Sequence, residues 1–182
     1  MRRRWSAAGR STPPGGQSCS RPARITTAAA TRGGSGGMRL HLLAAPDGTP
    51  RAAILASADE KERDVALRLF ERGLHGGELV IADKGYAGKE LQQTARERFG
   101  ATLLRPRRKD EPGQGPHLAP IRQCIESIFW TLKSRLGLER HQARTLHGLR
   151  ARIAPKLLAL AASVWLNHYL GRPTRALADL AI

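Results

Sequence analysis

The stretch "GELVIADKGYAG", residues 77–88, decides how this chain is read. Leu79 to Ala82 form a continuous apolar run, the pattern of a strand covered on both faces. The run ends abruptly on Asp83-Lys84-Gly85-Tyr86. A buried strand that delivers one carboxylate at its tip either caps a turn or holds a metal. The choice turns on whether partner ligands exist elsewhere in the chain.

Around this strand, helical and extended patterns alternate. "MRLHLLAA" from Met38 and "RAAILAS" from Arg51 flank Pro46-Asp47-Gly48, which reads as a hairpin turn. Ser57-x-x-Glu60 has capping-box spacing and predicts a helix over about residues 58–72. Val65, Ala66, Leu69 and Phe70 lie on one side of that helix, and Gly73 stops it. Residues 88–99 read as a surface helix stopped by Gly100, residues 101–106 as a short strand, and residues 107–117 as a charged loop. A long helix is predicted from Pro120 to Leu136. Another is predicted from Pro155 to Leu170, with Pro155 suiting a first turn and Gly171 a stop. This order belongs to the α/β or α+β classes.

Residues 1–37 differ in kind from the rest. They hold seven arginines, no Asp or Glu, and no periodic apolar face. Such a segment cannot bury enough surface to offset its ordering entropy, so disorder is expected there. The chain then divides into a basic tail (1–37), one ordered body (38–172) and a C-terminal tail (173–182). The net charge of +16 splits into +7 for the tail and +9 for the remainder. The body is therefore basic on its own, which favours a polyanionic partner, most commonly nucleic acid. Cys19 and Cys124 lack metal-ligand spacing, which argues against a disulfide framework or a zinc site. The longest apolar run, Leu157 to Leu166, is too short to span a bilayer. No secretory signal is evident, so a soluble, cytoplasmic protein is expected. Trp165 and its run read most simply as core, with a surface for a second copy as the alternative.

On the long helix, Arg122, Glu126 and Lys133 fall within an arc of about 40°. They lie beside the apolar arc of Ile121, Ile125, Ile128, Phe129, Leu132 and Leu136, at the border of the core. Taken singly, Arg122 and Glu126 are an intrahelical pair worth only about 0.2–0.5 kcal/mol, and Asp83 is a turn aspartate. Taken together, a carboxylate at a buried strand tip and one on a later core-bordering helix make a candidate two-metal site. Oxygen ligands without Cys or His clusters suit Mg2+ or Mn2+.

"DKGY" followed by "IRQCIESIFWTLKSRLGLERHQARTL" resembles the DDE transposases of bacterial insertion sequences. The family signature is Tyr-x2-Arg-x3-Glu-x6-Lys. Arg122, Glu126 and Lys133 match it in type and spacing, while Ala119 stands at the Tyr position. The resemblance spans about residues 38–172. It implies a ribonuclease-H-like mixed sheet flanked by helices, incomplete at the N-terminus. It also implies metal-dependent DNA strand cleavage and transfer, with family members acting as multimers. Asp83 would be the second acid and Glu126 the third, both metal ligands, with Lys133 and Arg122 steadying the DNA backbone beside them.

The first acid of such a fold sits on its first strand, ahead of the hairpin that starts near Met38. Residues 1–37 supply no carboxylate, and Asp47 lies at the hairpin tip, away from strand centres. The expectation is therefore a truncated or frameshifted catalytic domain with two of three acids, inactive alone. Arg105, Arg107, Arg108 and Lys109, with Arg140, Arg144, Arg150 and Arg152, read as a set of phosphate contacts. His117, His141 and His147 show no metal spacing and read as surface or DNA-proximal residues. The alternative is a non-catalytic basic DNA-binding remnant. A basic structural or RNA-binding protein is a third reading, which the spaced Arg-Glu-Lys stripe opposes.

Overall fold

The computed structural model describes residues 23–29, 37–82, 86, 88–104 and 119–176, with 23–29 and 119–122 defined by backbone alone. Among these residues, five strands form one sheet: β1 (Ala23–Ala29), β2 (Met38–Ala44), β3 (Pro50–Ser57), β4 (Leu79–Ala82) and β5 (Thr102–Leu104). The helices are α1 (Glu62–Gly73), α2 (Lys89–Phe99), α3 (Ala119–Ser134) and α4 (Leu146–Tyr169). The sheet runs in the order β3-β2-β1-β4-β5. β1 pairs antiparallel with β2 and parallel with β4, β2 pairs antiparallel with β3, and β4 pairs parallel with β5.

Two apolar layers sandwich the sheet. On one face Leu43, Ile54, Val80 and Ala82 pack with Val65, Leu69 and Phe70 of α1 and Leu91 and Ala95 of α2. On the other, Leu40, Leu42 and Ala44 pack with Ile125, Ile128, Phe129 and Leu132 of α3 and Ile153, Leu160 and Val164 of α4. β2 is apolar on both sides because it is covered on both, and β4 is buried from Val80 to Ala82 as its continuous run implies. Gly73 closes α1 for a steric reason. A Cβ there would lie 2.6 Å from Leu43 Cδ2 and 2.9 Å from Ala52 Cβ, so only glycine lets the helix end settle onto the sheet.

Several sequence expectations need correction. The sequence reading places no strand before Met38, yet residues 23–29 form β1, the central strand. Its pairing partners lie downstream, so its backbone groups are satisfied by β2 and β4 rather than by any local pattern. The capping box does not form. Ser57 Oγ donates to Asp59, Glu60 is held by Arg68, and α1 starts at Glu62. The last helix, α4, starts at Leu146, so Pro155 lies inside it. Thr145 caps this helix by accepting from Gly148 N at 3.1 Å, and buried Leu149 and Ile153 hold the turns ahead of the proline. Trp165 is also not core. It is 64% exposed and stacks on Tyr169, because only one face of this long helix lies on the sheet.

Candidate active site

Asp83 follows directly on β4, whose last residue, Ala82, is buried opposite Ile25 of β1. Asp83, Lys84 and Gly85 themselves lie outside the described residues. The register leaves Thr26 as the next residue of β1 beyond this pair, and Thr27 is opposite His41 of β2. β1 reads ARITTAA, so the strand that lies between β2 and β4 carries no carboxylate. Asp47 is no substitute. It sits in the β2–β3 turn, where its Oδ1 accepts from Thr49 N at 3.0 Å.

The chain just beyond Asp83 is anchored by Tyr86. This side chain is fully buried in the α1/α2 layer, and its hydroxyl lies 2.8 Å from His41 Nδ1. The rings meet edge to face, with centroids 6.3 Å apart. Tyr86 thereby ties the end of β4 to β2, across the intervening β1. Burial, followed by the Arg39 and Arg68 guanidinium groups, pulls the His41 imidazole down from its ordinary 6.5 to about 4. His41 is therefore neutral near pH 7, and its Nε2 is buried with no hydrogen-bond partner among the described residues. The sequence reading missed this pair. Its signal was one imidazole, His41, in an otherwise aliphatic stretch of strand, together with the Tyr of the DKGY motif.

Glu126 and Lys133 lie on α3, both on its exposed side. Lys133 Nζ is 2.9 Å from Glu139 Oε1, in a surface pair. α3 packs against β1, which in turn borders β4. The helix carrying Glu126 and the strand leading to Asp83 therefore flank the same central strand. Arg122 is on α3 with its side chain outside the description, and Arg105, Arg107, Arg108, Lys109 and His117 fall outside the described residues. Arg140, Arg144, Arg150, Arg152 and His147 are exposed, while His141 Nδ1 accepts from Ala143 N at 3.0 Å. Cys124 is buried and free, donating to Pro46 O at 3.2 Å.

Asp83 and Glu126 are the acids that the sequence reading assigns to a metal, and β1 contributes no carboxylate beside them. Among the described residues, which do not include Asp83, no group of three His, Cys, Asp or Glu converges. No helix among the described residues is long and apolar enough to cross a membrane.

The fold and sequence together define the class. The sheet order and flanking helices are ribonuclease-H-like, and the family model of the transposase DDE domain matches residues 12–162. The chain belongs to the transposase DDE domain family. The match reaches back to include β1. Among curated proteins none matches the chain. The fold is similar to that of the catalytic core domain of BIV integrase, at 12% identity and a TM-score of 0.50, over 78% of this chain and 83% of that one. A looser likeness, at 12% identity and a TM-score of 0.40, is to the simian T-cell lymphotropic virus intasome in complex with PP2A regulatory subunit B56 gamma. It covers 76% of this chain and 49% of that one.

Proposed function

We propose that this chain is a transposase catalytic domain that binds DNA but does not by itself cleave or join strands. The observation that carries the proposal is the composition of β1, which holds the central place beside β4 and has no carboxylate. On this reading Asp83 and Glu126 are the remaining acids of a site built for Mg2+ or Mn2+, with Lys133 and Arg122 against the DNA backbone. Phosphoryl transfer depends on positioning and on neutralising developing charge, so a missing ligand leaves both incomplete. The basic body supports DNA as the partner, and on this reading the chain acts in the cytoplasm. The exposed Leu158, Trp165 and Tyr169 of α4 support self-association.

The test is a supercoiled-plasmid nicking assay with Mg2+ and with Mn2+. No nicking is expected above a no-protein control. Nicking that disappears in Asp83→Ala would overturn the inactivity. DNA binding indifferent both to Mg2+ and to Asp83→Ala would favour the second reading, a basic DNA-binding remnant. That reading is supported by Lys133 being held by Glu139.

A further inference from the structure

A cleft of about 370 Å3 opens along β3, one of the two edge strands of the sheet. Its floor is apolar, formed by Leu55 of β3 with Ile153 and Leu157 of α4. Its rim carries Arg68 and Arg72 from α1 and Arg150 from α4. The two helices cover opposite faces of the sheet, so the cleft wraps the strand edge rather than lying on one face. Glu60 holds Arg68, while Arg72 and Arg150 have no ion-pair partner among the described residues.

The guards of the β3 edge, Pro50 and Arg51, stand only at its start. Residues 52–56 read Ala-Ala-Ile-Leu-Ala, without charge or proline, and the one charged residue of the strand, Arg51, is turned to Glu78 at 2.8 Å. Its neighbour pairs it only from the β2 side, and no other backbone partner reaches 52–56 among the described residues. An edge of this kind is a template for strand addition. We propose that the cleft receives an extended acidic segment of a partner protein, which adds as a sixth strand along β3. Its carboxylates pair with Arg72 and Arg150, and its alternate apolar side chains lie on Leu55 and Ile153.

Charge decides between occupants. A second copy docked edge to edge about a two-fold axis would bring each guanidinium rim against its own mate. Single-stranded nucleic acid would meet a floor with no aromatic side chain on which to stack a base. An acidic strand satisfies both the rim and the backbone edge.

The test uses the full chain and a blocked eight-residue peptide alternating glutamate and valine, read by amide hydrogen exchange at physiological salt. Slowed exchange confined to residues 52–56 is expected. Arg72→Glu with Arg150→Glu, both at exposed sites, should weaken binding by at least about tenfold. Arg96→Glu with Arg172→Glu, on other surfaces, should leave it unchanged. Three results would each overturn the proposal: no protection of 52–56, equal protection by an oligothymidylate, or protection that grows with protein concentration in the absence of peptide. Binding indifferent to the Arg72 and Arg150 reversals would do the same.

Discussion

His41 stands fully buried on β2 between Leu40 and Leu42, and its burial makes the fold sensitive to acid. In the folded chain its pKa is lowered to about 4, while an unfolded chain returns it to about 6.5. Above pH 6.5 both states are neutral there and the fold keeps its full stability. As pH falls from 6.5 toward 4, the unfolded state binds the extra proton, so stability drops. The loss is on the order of 3 kcal/mol, since each pH unit separating the two values is worth about 1.4 kcal/mol. Urea denaturation at pH 7.5 and 4.5 should show this loss, and the His41→Gln variant should lose less over the same interval. A wild-type midpoint that does not move would remove the account. Tyr86→Phe should cost about 1–3 kcal/mol, because it strands a buried imidazole nitrogen that is now bonded.

At the scale of elements, α4 shows how tertiary packing overrides a local signal. Proline removes one helical hydrogen bond and crowds the preceding turn, so the spacing of Pro155 suggests a helix start. Yet α4 runs through it, because Leu149 and Ile153 ahead of it and Leu160 and Val164 behind it all lie in the same apolar layer. Just past the proline, Lys156 Nζ also ties α4 to the turn that follows α3, donating to Gly137 O at 2.8 Å. Pro155 is exposed, so Pro155→Ala should restore a backbone bond without leaving a cavity. A stabilisation of about 1–3 kcal/mol is expected, read as a higher melting temperature. A lower melting temperature would mean that the proline fits a bend the packing requires. β1 is the complementary case, a strand that lacks an alternating apolar pattern and gains its place from the two strands it pairs with.

For the whole molecule, charge is the dominant property. The net charge of +16 and the exposed arginines between α3 and α4 predict DNA affinity governed by phosphate contacts. The logarithm of the binding constant should fall linearly with the logarithm of salt concentration, with a slope of about −0.9 per phosphate contacted. Arg140→Gln with Arg144→Gln should flatten that slope without changing preference among sequences. An unchanged slope would place the contacts elsewhere, and a changed preference would mean these side chains read bases.

The sequence by itself determined the strand ending at Ala82, the β2–β3 hairpin with its Asp47 turn, the helices with one apolar face, the basic balance, and the Arg122-Glu126-Lys133 spacing. Each is local or periodic, so each is written in consecutive residues. Only the tertiary structure decided the rest. Residues 23–29 become the central strand because two distant strands offer their edges to it. Tyr86 finds His41 across 45 positions of sequence. Arg51 reaches the buried Glu78, whose other oxygen accepts from His75 N and Gly76 N. Trp165 is left in solvent because α4 has only one side to bury. Pairing, burial and charge compensation between distant segments depend on where the chain returns, and no short window of residues encodes that.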